Sequence, residues 1–226
     1  MFSPTSFPSA PPTPSRSSTP AGGVRRSAPV GRGAVAAFSL WAAGGLAGAR
    51  ASALLHLPRP CLPLVIWAPV VLAVLAYRRR ADLRDALLAV GIRPLILLHT
   101  VRALIGALFL INGARGVLPI AFAVPVGWGD VAIGLLALPI ALCAWKPGIT
   151  PAAAQRFAIL AWNGLGFVDI LLAFVTAQRQ IFFVEDPRML AALGSWPLAL
   201  VPLLVVPGVL ATHLLVFAHL RRRPRR

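Results

Sequence analysis

The chain has 226 residues, of which 22 are Lys or Arg and 6 are Asp or Glu, and 58% of it is hydrophobic. A mean hydropathy of +0.80 excludes an ordinary soluble globular domain. The net charge of +16 is not a nucleic-acid footprint, because the basic residues flank apolar runs of membrane-spanning length instead of forming a stripe on one face.

Residues 1–33 are rich in Pro, Ser, Thr and Gly, with Arg16, Arg25, Arg26 and Arg32 among them. They lack the apolar density to bury a core and read as a disordered cytoplasmic tail. The basic residues and the first apolar run come too late for a secretory signal.

A bilayer core about 30 Å thick takes about 20 apolar residues as helix. Six segments meet this: 34–56, 61–77, 94–113, 126–145, 155–176 and 196–220. The first is the weakest, since small residues dilute it. The fold class expected is therefore all-α, a polytopic bundle of about six transmembrane helices over 34–220, followed by a basic tail at 221–226.

The charges orient the bundle. Together with the N-terminal tail, one side holds Arg78, Arg79, Arg80, Arg84, Arg93, Lys146, Arg156 and the run Arg221, Arg222, Arg223, Arg225 and Arg226. The other holds Arg59, Arg115, Arg179 and Arg188, with Arg50 and Arg102 inside spans. The positive-inside rule puts both termini in the cytoplasm. The basic face is expected to contact anionic lipid headgroups, each charge worth about 1 kcal/mol near the surface. No nucleic-acid partner is expected.

Between spans, residues 81–92 read as an interfacial amphipathic helix, with Asp82 and Asp85 as solvated partners of nearby arginines. Residues 114–126 are apolar but bracketed by Gly116, Pro119 and Pro125, and read either as a surface loop or as a re-entrant segment. Residues 177–195, with Glu185 and Asp186, read as the largest outer loop. Cys61 and Cys143 fall near opposite faces, too far apart for a disulfide. No cysteine or histidine cluster has metal-site spacing, and no catalytic or nucleotide-binding motif is present, so neither a metal nor an enzyme is expected.

Ionisable groups within spans are costly, at about 2.5–3.5 kcal/mol at mid-helix, and need a partner or a water-filled cavity. Here they are His99 and Arg102 in the third segment, Asp130 in the fourth and Asp169 in the fifth. Helical rise puts both carboxylates in the outer half of the bilayer, within reach of Arg102. A polar cluster of Arg102, Asn112, Arg115, Asp130, Asn163 and Asp169 follows. It admits two readings: a site that binds or conducts a small solute, ion or proton, and a charge-paired core of a structural or accessory subunit. A third reading comes from His99 and His213, which fall at similar depth. Facing histidines are the axial ligands of a b-type haem in an electron carrier. The alternative is that each bonds to a helix backbone or a neighbouring polar group. Apart from haem no cofactor is expected. Trp162, beside Asn163, is expected to pack against the cluster. Gly127-Trp128-Gly129-Asp130 and Gly164-Leu165-Gly166-Phe167-Val168-Asp169 set small residues beside an acid, which lets helices approach closely.

The run from Arg102 to Asp169 also includes Gly116-Val117-Leu118-Pro119, Phe122-Ala123, Pro125, Gly127-Trp128-Gly129-Asp130 and Trp162-Asn163-Gly164-Leu165-Gly166. It resembles a group of small multi-pass bacterial membrane proteins described only as hypothetical, over about half the chain. The resemblance implies a multi-pass protein of the bacterial inner (cytoplasmic) membrane. It implies no reaction and transfers no catalytic residue.

Overall fold

The computed structural model describes residues 32–144 and 152–221. Residues 1–31 of the expected tail 1–33, residues 222–226 of the expected tail 221–226, and the segment 145–151 with Lys146 lie outside the described residues; Arg32, Gly33 and Arg221 are helical instead of tail. Among the described residues the chain forms α1 (Arg32–Arg50), α2 (Leu62–Arg79), α3 (Ala81–Ala89), α4 (Ile92–Leu98), α5 (Val101–Ala114), α6 (Ile120–Cys143), α7 (Ala153–Phe182), α8 (Pro187–Gly194) and α9 (Val206–Arg221). Short 3-10 turns at Ala53–His56 and Arg59–Cys61 join α1 to α2, and a π turn at Val201–Val205 leads into α9.

Five stretches are long and apolar enough to cross a membrane: Arg59–Arg79, Ile92–Ala114, Ile120–Cys143, Ala153–Phe182 and Val201–Arg221. The Gly- and Ala-rich α1 is not among them. It nevertheless runs antiparallel to the last stretch. Arg50 lies over the Trp196 ring at 4.0 Å, Gly45 meets Leu204, and Gly208 meets Trp41.

The bundle has two distinct ends. At one, which we name the capped end, Leu54, Leu118, Phe122, Met189 and Leu198 share one core cluster, and α8 and the 3-10 turns cover the helix ends. Arg59 and Glu185 approach there at 3.7 Å, both exposed, an ion pair of little energetic weight. At the other, the basic end, Ile92, Ile96, Ala141, Ile159 and Leu220 pack together, and an Arg156 terminal nitrogen donates to the Leu220 carbonyl. Arg78–Arg80, Arg84, Arg93 and Arg221 sit at this end. Arg80 pairs with Asp82 at 3.2 Å and Arg84 approaches Asp85 at 3.9 Å, as expected for the short helix α3. Cys61 and Cys143 are free, each at a different end.

Three boundaries differ from the sequence reading, and each matters for the site. Residues 114–126 are neither loop nor re-entrant. A five-residue turn suffices, because Gly116 takes a left-handed φ of 71° and the Val117 and Gly116 amides donate to the Asn112 and Gly113 carbonyls at 2.9 and 3.0 Å. That closes α5 in a Schellman motif, and α6 starts at once after Pro119. Next, α7 continues to Phe182, well past the expected end at 176; its 30 residues span about 45 Å. Last, the expected outer loop holds α8. Asp186 caps it by accepting the Arg188 amide at 3.0 Å, Pro187 occupies its first turn, and Met189 is fully buried beneath it.

Candidate functional site: a buried charge network at mid-span

Arg102 begins the site. The third span is two helices joined at His99–Thr100, where the His99 and Thr100 amides bond back to Ile96 and Leu97 at 3.0 Å each. The join tightens the backbone to i→i+3 bonding and turns both His99 and Arg102 inward, leaving them 0% and 1% exposed.

The close packing that buries Arg102 comes from glycines. A Cβ on Gly134 would run into the backbone of Ala103, and one on Gly166 would stand 2.8 Å from His213 Cε1 and 3.3 Å from an Arg102 terminal nitrogen. Small residues let α5, α6, α7 and α9 converge on one guanidinium.

That guanidinium is held from several directions. Its Nε donates to Asp130 Oδ1 at 2.6 Å. One terminal nitrogen donates to the Gly166 carbonyl at 3.0 Å and lies 3.4 Å from His213 Nε2. The other donates to Asp169 Oδ2. The network continues from His213, whose Nδ1 is 2.9 Å from Asn163 Oδ1, while the Asn163 amide nitrogen donates to the His213 carbonyl at 3.2 Å. Arg102 can only donate, so His213 Nε2 accepts and Nδ1 carries the proton, which makes the ring neutral. His99 Nε2 is 3.0 Å from Thr212 Oγ1, and that hydroxyl donates to the Val209 carbonyl at 2.8 Å. Nε2 therefore donates to Thr212. Trp162 donates to the Ile133 carbonyl at 3.2 Å and stands edge-on to His99 at 5.2 Å, packing against the cluster as expected.

Four of the six predicted cluster residues thus meet: Arg102, Asp130, Asn163 and Asp169. Two do not. The Asn112 amide donates to the Leu108 carbonyl of its own helix at 2.8 Å, and Arg115 is exposed at the capped end. The outer-half placement also moves. With α6 starting at Ile120 and α7 ending at Phe182, Asp130 and Asp169 fall near the middle of their helices, level with Arg102. Extra helical turns at the capped end separate the network from Asn112 and Arg115.

His99 and His213 do lie at one depth, but as neighbours in contact, with ring centroids 4.2 Å apart. A haem macrocycle needs its two axial ligands on opposite faces of the ring system, and no space remains between these rings for it. His213 is also engaged at both nitrogens. The pair does not fit axial haem ligation; each ring instead bonds to a polar neighbour. Sequence reasoning missed Thr212, the Gly166 carbonyl and the direct contact of Arg102 with His213. The hydroxyl of Thr212 next to His213 in an apolar run was the available signal.

A cavity of about 90 Å³ extends from the network toward the capped end. Arg102 and Asp130 border it at mid-span, Gln178 and Leu190 border it near the cap, and most of the remaining wall is aliphatic or aromatic. The π turn contributes Val201, Pro202 and Val205. Asp169 lies on the other side of the guanidinium, against Gly129, and keeps 22% of its side chain exposed, against 11% for Asp130. The two carboxylates therefore face different spaces.

No curated protein and no solved structure matches the chain. A family model described as a domain of unknown function, DUF8737, matches residues 59–221, from the turn before α2 to the end of α9. By that match the chain belongs to the DUF8737 family.

Proposed function

We propose that the protein is a six-span protein of the bacterial cytoplasmic membrane, with both termini inside, whose mid-span network binds a proton or small cation and passes it across the bundle. One observation carries this reading: two carboxylates, Asp130 buried and Asp169 part-buried, share one buried arginine. His213 is neutral by its hydrogen-bond roles, and His99 is neutral because a proton on its buried Nδ1, which has no partner among the described residues, would be an unsatisfied charge beside Arg102, so the network holds one negative charge beyond balance. An uncompensated charge in a low-dielectric interior is costly. A bound proton or cation removes that cost, and the different surroundings of Asp130 and Asp169 give it two directions of approach.

A second reading is a structural or accessory subunit with no transport. The donors of Arg102 that engage Asp130, Asp169 and Gly166 support it, since such a network pins the register of three helices without moving anything. Anionic headgroups contact the basic end in either case.

Flux in vesicles decides between them. Asp130→Asn and Asp169→Asn proteins that keep their helix content are reconstituted, and proton and monovalent-cation movement is followed with a pH-sensitive dye and isotope uptake. Loss of a flux seen with the unaltered protein supports conduction. Equal flux through unaltered and substituted proteins, or none through either, leaves the structural reading.

A further inference from the structure

We infer that the cavity beside Asp130 is a binding site for a short-chain primary alkylammonium ion, its nitrogen on the Asp130 carboxylate and its chain among the apolar walls. This rests on the cation-binding reading above and names the class of cation.

The chemistry of the walls makes the choice. Phe109, Phe122, Phe174, Ile66, Val126 and Val209 are among the lining residues, and the polar ones are Arg102, Asp130 and Gln178. Water is a poor occupant, because a buried water needs two to four polar partners and few are on offer along the length of the cavity. A bare metal cation fares no better, since hard cations take about six or more oxygen ligands and this wall presents one carboxylate and one amide. A proton alone would leave the volume unfilled. An alkylammonium ion suits both parts of the wall: the head supplies the missing positive charge and donates to the carboxylate, and the tail takes the apolar remainder. The three phenylalanine rings tolerate a cation passing over them.

A second observation at the far end of the cavity agrees. Gln178 Oε1 is shut off from solvent and has no hydrogen-bond partner among the described residues, although buried acceptors are nearly always satisfied. It borders the cavity about two and a half helical turns beyond Asp169 toward the cap, where it is the first acceptor an ammonium group meets on the way in from that end. Size sets the chain length. An engineered apolar cavity of about 150 Å³ accepts benzene, so a cavity of about 90 Å³ takes a chain of roughly three or four carbons.

The test uses the full chain in lipid nanodiscs at neutral pH, titrated calorimetrically with methyl- to hexylammonium chlorides, with 1-butanol as the neutral counterpart of butylammonium. The expected result is saturable binding that tightens roughly fourfold with each methylene up to propyl or butyl and weakens again at hexyl, with butanol at least tenfold weaker than butylammonium. In Asp130→Asn the preference for butylammonium over butanol disappears, and Ala173→Phe, which fills the cavity, abolishes binding of both. Butanol binding as tightly as butylammonium, affinity that keeps rising through hexyl, or no saturable binding overturns the inference. All three of these outcomes are read on the unaltered protein, so a variant that fails to fold does not obscure the answer. If proton or cation flux in vesicles depends on Asp130 and no alkylammonium binds, this inference falls while the cation reading stands.

Discussion

Asp130 and Asp169 hold the same guanidinium, Asp130 at the Nε of Arg102 at 2.6 Å and Asp169 at a terminal nitrogen. They come from consecutive antiparallel helices, α6 and α7, and Arg102 reaches between them from α5. The shared arginine ties three helices at one depth. It also makes the two acids unequal, because Asp130 adjoins the cavity while Asp169 is the more exposed.

Removing the arginine should therefore cost more than removing either acid. Breaking a buried ion pair from one side typically costs about 3–5 kcal/mol, because the partner charge is left behind. Arg102→Gln leaves two carboxylates unpaired; Asp130→Asn leaves Arg102 still held by Asp169. Thermal unfolding in a mild detergent should rank Arg102→Gln well below both Asp→Asn variants. The triple variant Arg102→Gln/Asp130→Asn/Asp169→Asn should recover much of the loss, with a coupling of about 0.5–3 kcal/mol between each pair. Losses that simply add would mean that the contacts contribute nothing as a network.

Gly166 is the second weak point. A Cβ there would stand 2.8 Å from His213 Cε1 and 3.0 Å from Ile133 Cγ2, so Gly166→Ala must push α7 away from α6 and α9. Overpacking of this kind costs about 1–3 kcal/mol. The expected signature is a lower unfolding temperature together with a shifted His213 ring resonance. Gly164→Ala is the matched control, because nothing lies within 4 Å of where its Cβ would be. If the two substitutions behave alike, close packing at Gly166 is not what holds the network.

The ion-pair partners were legible in the sequence because charge within an apolar span is rare and needs compensation: Arg102, Asp130 and Asp169 stand out on that ground alone. Asn163 followed from its depth. Asn112 and Arg115 were misplaced for a single reason. The proline and glycines of 114–126 look like a loop, but one left-handed glycine at 116 completes the turn and lets helix resume at Ile120. Depth counted from the wrong helix start put the carboxylates too near the surface. The histidine pair was correctly levelled, yet depth gives no lateral distance, and whether two rings touch or face across a gap depends on helix rotation. The cap helix α8 had its signal in plain view, Asp186 before Pro187, but the short length of the segment hid it. The cavity had no sequence signature, since it arises from six helices (α2 and α5 to α9) and a π turn that meet only in the fold.

The cap itself should respond to pH. The hydrogen bond from Arg188 holds the Asp186 carboxyl below the ordinary carboxylate value, and the Arg188 amide adds to this. A group whose native value is lowered stabilises the fold above its unfolded value and loses that contribution as pH falls through the native one. Docking of α8 should thus be constant near neutrality and weaken only in acid, below about pH 4. Hydrogen exchange across residues 187–194, corrected for intrinsic rates, should reveal faster opening there at acid pH. In Asp186→Asn, which can still cap but carries no charge, the pH dependence should vanish. Equal pH dependence in both proteins would show that another group controls the cap.

Sidedness underlies every functional statement, and it can be tested without reference to the network. The basic end gathers Arg78–Arg80, Arg84, Arg93, Arg156 and Arg221, while the capped end has Arg50, Arg59, Arg115, Arg179 and Arg188. On the proposed orientation, which follows the positive-inside rule, the basic end faces the cytoplasm and the cavity wall at Gln178 and Leu190 lies toward the outside. A single cysteine replacing Arg79 in a chain freed of Cys61 and Cys143 should resist a membrane-impermeant maleimide in intact cells and react after permeabilisation. A cysteine replacing Arg188 should react in both. The opposite pattern would invert the bundle and turn the cavity toward the cytoplasm. Labelling of the first helix decides the number of spans. A cysteine replacing Arg50 should follow Arg188 if α1 crosses the membrane, because Arg50 sits over Trp196 at the capped end. A cysteine placed at Arg25 should follow Arg79. If cysteines at positions 25 and 50 label from the same side, α1 lies along the membrane surface and the bundle crosses five times instead of six.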